Sequence, residues 1–443
     1  MSDGWLWRTA ADLGRGVEAG TIDARELTEV YLGAIAAHPD ADRIYVRATP
    51  ERARAEADAA RARARGGLRR GPLDGVPISW KDLFDTAGVP TEAGSALLAG
   101  RTPDRDAAVL AAAARAGLVC LGKTHLSELA FSVLGINPVT ATPPNINDPE
   151  LTPGGSSSGA ATSVAFGLAA AGIGSDTAGS ARVPAAWNDI VGLKPTHGLL
   201  SLEGVVPLRP GFDSVGTLTR SVEDASLLLA ALGGGPAADL AGARLDGARL
   251  LVLDDPDALP TRDAPLAGFE AAAARLAAAG ARLHRARIPA VAATLRLFPT
   301  VAGGEAYGVW RAVIEAQPEL MFAPIRERFR GGAAILAADF VAARRALDDQ
   351  RAAWRASTTG WDAVLMPTTA NLPPNAARAL ADPGYYAAEN LLALRNPTLA
   401  NLLGLCAASL PTGIPCCGLM AMAGPGEEAR LLRLATTMER ALG

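Results

Sequence analysis

Three short segments hold the residue types that hydrolytic chemistry uses, and all lie between residues 81 and 180. Lys81 closes the run Leu73-Asp-Gly-Val-Pro-Ile-Ser-Trp80, Ser156, Ser157 and Ser158 follow Pro153-Gly-Gly, and Ser180 ends Gly174-Ser-Asp-Thr-Ala-Gly. An ammonium at the end of an apolar run (Val76, Ile78, Trp80) is costly to desolvate, so a lysine held there can act as a neutral amine base. The bland alternative is a snorkelling Lys81 paired with Asp82 or Asp85. The Gly/Ser loop is permissive enough for unusual backbone, a cis peptide included. In the turn 174–184, successive N–H groups can face one point and so present a serine together with an oxyanion hole.

Two other matches point to different chemistry. Gly117-Leu-Val-Cys-Leu-Gly-Lys-Thr124 fits the phosphate-loop pattern G-x-x-x-x-G-K-[ST]. Its middle residues read as a strand and Gly117 as the cap of the preceding Ala-rich helix, so a P-loop nucleotide-binding protein is the remote alternative. Gly155–Gly159 fits G-x-S-x-G around Ser157, but a loop precedes it and only His197 and His284 follow. His284, in an Arg-flanked strand edge, reads as a surface or packing residue.

These residues need rigid elements to hold them. A capping signal at Asp23 announces a first helix, and a second spans about 51–65. A strand ends on Lys81, helix covers 107–116, a buried strand 118–121 and a short helix 127–131. A loop over 135–160 precedes a small-residue helix to Leu168, then a strand at 170–174. Helix is expected near 222–232, strand at 249–253, helix at 267–279 and in segments to Trp354, strand from Asp362, and a last helix over 428–442. This alternation predicts an α/β fold, a single large α/β/α sandwich whose mixed central sheet is covered by helices on both faces. One unit over 1–443 is expected: a catalytic core at about 60–220, a variable substrate-pocket segment at about 235–355, and a return to the core at about 360–443.

Composition narrows the function. The 443 residues carry 42 basic and 46 acidic side chains, a formal charge of −4, which argues against a nucleic-acid-binding surface. A hydrophobic content of 49% excludes global disorder. Cys120, Cys406, Cys416 and Cys417 form neither a disulfide framework nor a zinc pattern. No signal peptide and no membrane-length apolar window is evident, so the expectation is a reduced, cytoplasmic protein without a membrane partner.

The three segments together resemble the amidase signature family. Gly75-Val-Pro-Ile-Ser-Trp-Lys81-Asp82 matches its lysine motif, Gly154–Gly159 its G-G-S-S-[SG]-G run, and Asp176-Thr-Ala-Gly-Ser-Ala-Arg-Val-Pro184 its third motif. The separations, 75 residues from Lys81 to Ser156 and 24 from Ser156 to Ser180, also match. The resemblance runs from the first helix to Val222 and resumes at 362–367 and 401–415. It implies an amidase that cleaves a linear amide to carboxylate plus ammonia or amine through an acyl-enzyme on Ser180. Lys81 would act as base through a cis-Ser156, with no cofactor and no metal. Backbone N–H groups of Thr177, Ala178, Gly179 and Ser180 would bind the oxyanion. Ala130 would contact substrate, and Ser157, Asp176 and Arg182 would brace the site. The same motifs would suit the glutamine-hydrolysing A-type component of a tRNA-dependent amidotransferase, for which the chain reads as short and without a docking extension. A small-molecule amide is the expected partner, with a homodimer left open.

Two departures stand out. Ala178 replaces the usual Gly, so that turn must accept an ordinary φ there. His125 stands where Asn is common and reads as structural support. Tyr307, Trp310 and Phe322 are candidate pocket aromatics, with core packing an equally good reading of each.

Overall fold

The computed structural model describes residues 3–443. Eleven strands form one mixed sheet: β1 (Tyr45–Ala48), β2 (Pro77–Lys81), β3 (Val119–Thr124), β4 (Ala171–Ser175), β5 (Val191–Lys194), β6 (Val215–Thr219), β7 (Arg249–Leu253), β8 (Arg282–Ala286), β9 (Ala363–Pro367), β10 (Cys406–Pro411) and β11 (Gly418–Ala423). Their spatial order is β1-β3-β2-β4-β6-β5-β10-β11-β9-β7-β8. The trio β3, β2 and β4 is parallel, as is β9, β7 and β8, while the strands between them are antiparallel.

Side-chain alternation explains why helices cover both faces. Leu250 and Val252 of β7 join one core, whereas Leu251 and Leu253 join a second. The same split separates Leu419 and Ala421 from Met420 and Met422 on β11. Successive strand side chains point to opposite faces, so two cores mean two covered faces. Phe269 and Leu276 from helix Asp263–Ala278, with Leu431 and Met438 from helix Glu428–Leu442, cover the first. Val291, Trp354 and Leu399, from helices Pro289–Ala316, Ala337–Thr358 and Pro383–Leu402, cover the second. The predicted α/β sandwich with a mixed sheet is the fold observed.

Several boundaries differ from expectation. Asp23 caps helix Ala24–Ala37 by accepting the N–H groups of Arg25 and Glu26, but helix Ala10–Glu18, capped by Thr9, precedes it. The strand expected at 118–121 runs on through Lys123 and Thr124. Within 235–355, β7 and β8 extend the central sheet, so this stretch is more than pocket loops. Strand β8 is one of the two edge strands of the sheet and carries His284, which stacks on Trp361 at 5.3 Å.

The phosphate-loop reading fails here. Gly117, at φ 91°, ends helix Ala108–Arg115, and Val119–Thr124 of the motif is buried strand. Gly122 lies so close to the Arg47 carbonyl that a Cβ would collide with it. Lys123 is fully buried and paired with Asp82 at 3.0 Å, leaving no open loop to cradle phosphate. Among the described residues no helix is long and apolar enough to cross a membrane, and no cluster could hold a metal ion.

Candidate active site

Parallel pairing of β2 with β4 sets Trp80 opposite Ile173, so both strands deliver their last residues to one end of the sheet. Lys81 and Ser175 therefore meet: Lys81 Nζ donates to Ser175 Oγ at 2.7 Å. It donates equally to Ser156 Oγ at 2.7 Å. The Gly155–Ser156 peptide is cis, and the loop is held where Gly155 N–H donates to Val133 O at 2.7 Å and Ser127 N–H to Ser156 O at 3.2 Å. Ser157 N–H donates to the carbonyl of Ser180 at 3.1 Å, which brings the loop against the third motif.

Lys81 is fully buried, and neither of its expected counter-ions is available. Asp82 is committed to Lys123, and Asp85 to Arg101 at 2.6 and 2.9 Å. Burial pulls the Lys81 ammonium down to about 7, against the carboxylates of Asp176 and Asp213, which push it up. A lysine near neutrality beside a serine hydroxyl has the protonation chemistry of a general base.

Ser157 ties the loop to β4: its Oγ donates to Ser175 O at 3.1 Å and accepts Ser175 N–H at 3.2 Å. Asp176 and Arg182 form a fully buried pair at 2.9 Å. Asp176 also accepts the N–H groups of Gly179 at 2.9 Å and Ala181 at 3.2 Å. Arg182 and Asn401, which donates to Asp176 at 2.9 Å, outweigh burial and hold that carboxyl below the usual carboxylate range. Together these bonds fix the turn that carries Ser180.

One expected donor drops out. Gly179 N–H is already given to Asp176, which leaves the N–H groups of Thr177, Ala178 and Ser180 as the candidate oxyanion donors. Gly179 rather than Ala178 takes the positive φ, at 110°, and a Cβ on it would lie 2.5 Å from Pro397 Cγ. Ala178 keeps an ordinary φ and is tolerated.

Ala130 lies in a buried bend at φ 60°, after Leu129 at 47°. Glu128 before it is fully buried, accepts Ser95 Oγ–H at 2.7 Å and Phe322 N–H at 2.9 Å, and is pushed by burial up to about 7. Phe322 thus reaches the neighbourhood of the site. Trp310 packs in the core and donates Nε1–H to Pro207 O at 2.9 Å, while Tyr307 hydrogen-bonds Glu315 on the outside. The ring nitrogens of His125 are bonded to Thr140 Oγ1 and Asp42 O, which occupies both in holding the chain together.

Sequence reasoning missed Ser175, Asp213 and Asn401. Ser175 carried a signal, since it ends the strand next to the third motif. Asp213, which accepts Thr177 Oγ1–H at 2.6 Å, and Asn401 are joined to that turn only by the fold.

The family model described as amidase matches residues 26–432. The chain belongs to the amidase family. Amidase relatives cover nearly all of it. It is 34% identical to the 2-amino-5-chloromuconic acid deaminase of Comamonas testosteroni, over 98% of this chain and 97% of the relative. It is 35% identical to the A-type component of the glutamyl-tRNA(Gln) amidotransferase of Anaeromyxobacter sp. (strain K), over 98% and 96%. The native peptide amidase of Stenotrophomonas maltophilia superposes with a TM-score of 0.83 at 29% identity, covering 98% of this chain and 96% of that one. The protein is therefore an amidase-family hydrolase of C–N bonds. Its near-complete span of the amidotransferase component removes length as an argument against that relationship.

Proposed function

We propose that this chain hydrolyses a small carboxylic amide through an acyl-enzyme on Ser180. The observation that carries the reading is the buried Lys81 amine, 2.7 Å from Ser156 Oγ and without an ion-pair partner among the described residues. Neutral Lys81 accepts the Ser156 proton as Ser156 accepts that of Ser180, and Ser180 Oγ attacks the amide carbonyl. The oxyanion is met by the N–H groups of Thr177, Ala178 and Ser180, already aimed by the Asp176 bonds. Returning along the same relay, the proton goes to the leaving nitrogen as the C–N bond breaks. Water then attacks the ester, releasing the carboxylate and restoring Ser180. Ala130 borders the acyl group, and every proton in these steps is carried by the chain's own residues, the substrate or water.

The test is covalent labelling with a fluorophosphonate, mapped by peptide mass, together with ammonia release from an amide panel. Label on Ser180, lost in Ser180→Ala, supports the mechanism. Full amide turnover by Lys81→Ala overturns it.

The relative that works within an amidotransferase favours a second reading, a glutaminase active in a complex. Preference for L-glutamine over all simple amides, dependent on a companion chain, would select that reading.

A further inference from the structure

A cavity of about 100 Å³ opens at the C-terminal ends of β7 and β9, where parallel strands commonly leave room for a ligand. Lys81, Ser156 and Ser180 take no part in it. Much of its wall is apolar, with Val252, Leu253, Leu259, Phe269 and Met366 all buried. Asn396 is the one fully buried polar residue that lines it. Its Nδ2–H is given to Pro367 O at 2.9 Å, and its Oδ1 is buried without a partner. A buried acceptor left empty costs free energy that an incoming donor would recover.

Charge at the same cavity selects the donor. Three acids, Asp254, Asp255 and Glu270, line it against one base, Arg285. Arg285 is committed to Glu270, with Nη1–H donating to Oε1 at 2.9 Å. Arg287 is paired with Asp257 at 2.8 Å and stands 3.9 Å from Asp255. The exposed carboxylate of Asp254 forms no ion pair among the described residues. Ionised carboxylates and an amide oxygen accept hydrogen bonds and offer none, so the fitting ligand is a cation with N–H groups. The apolar wall favours one that carries a carbon stem over a bare metal ion.

We propose that this cavity binds a small primary alkylammonium ion. Its ammonium would donate to Asn396 Oδ1 and face Asp254 and Asp255, with the stem against Phe269 and Met366. Asn396 precedes Pro397, which packs on the turn before Ser180, since a Cβ on Gly179 would lie 2.5 Å from Pro397 Cγ. The reaction proposed above releases ammonia or an amine, protonated at neutral pH, so the enzyme meets such ions as it works. That source rests on the Ser180 reading, whereas the cavity and its charge do not.

The experiment is calorimetric titration of the full chain with n-propylammonium chloride, set against 1-propanol, tetramethylammonium chloride and potassium chloride. Propylammonium should bind saturably at a single site. The controls lack the charge, the N–H donors or the stem, and should not bind. Asn396→Leu should weaken binding by about 10-fold or more, the worth of a hydrogen bond to a charged group. Asp254→Asn combined with Asp255→Asn should weaken it by about 5-fold, and these outer positions keep the test open if the buried variant does not fold. No saturable binding by the wild type, or unchanged affinity in the double variant, overturns the site. Binding should persist after Ser180 has been labelled with fluorophosphonate; its loss would place the amine at Ser180 and also overturn the site. Failure of the label to reach Ser180 counts against the Ser180 reading instead, and the variants still decide the cavity.

Discussion

At the scale of single residues, the proposed mechanism makes the protonation of Lys81 decide activity. Lys81 must be neutral to accept a proton, and burial sets it at about 7. The expected profile of log kcat/KM therefore climbs with unit slope below pH 7 and levels above it. A flat rate from pH 6 to 9 with chemistry limiting contradicts the lysine base. Lys81→Arg keeps the charge at every working pH and should lower turnover by at least about 10³-fold, measured as ammonia release. The lysine was legible because an ammonium ending an apolar strand is anomalous by itself. Ser175, its second hydroxyl neighbour, looked like ordinary strand sequence, and only the β2–β4 register brings it to the amine.

At the scale of elements, the turn that carries Ser180 depends on a buried ion pair. Asp176→Ala leaves Arg182 buried with only Asn401 Oδ1 and Met420 Sδ as partners. Breaking one side of such a pair costs about 3–5 kcal/mol, so the denaturant midpoint should drop sharply and activity with it. A small shift in the midpoint would show that the turn holds itself. Helices and strands with clear periodicity, such as Arg249–Leu253 and Glu428–Leu442, were readable to the residue. Strands β1, β5, β6, β10 and β11 were not. Cys406-Ala-Ala-Ser-Leu-Pro and Gly418-Leu-Met-Ala-Met-Ala have little intrinsic strand preference, and neighbouring strands on either side impose it. Asp213 and Asn401 escaped for a related reason, since long-range contact rather than local pattern makes them part of the site.

For the whole molecule, buried carboxyls set the pH dependence of stability. Burial raises Asp224 to about 6, and Glu128 and Glu439 to about 7. A raised carboxyl stabilises the fold fully below its unfolded value near 4, and that contribution is lost as pH rises through the folded value. His125, lowered by burial to about 4, acts oppositely between pH 4 and 6.5, against these three carboxyls and against Glu56, Asp82 and Asp189, which burial also raises. Lys81 is protonated in both states over most of this range. Tm should therefore decline between pH 4.5 and 7, while activity climbs toward its plateau. A Tm that increases across that window would refute the assignment. Ala178 bears on the same balance from the denatured side. In that ensemble a methyl group forbids backbone states that glycine would visit, so less freedom is surrendered when the turn forms, about 0.4–1 kcal/mol for a compatible φ. Part of the preorganisation of the turn before Ser180 is thus built into the chain before it folds.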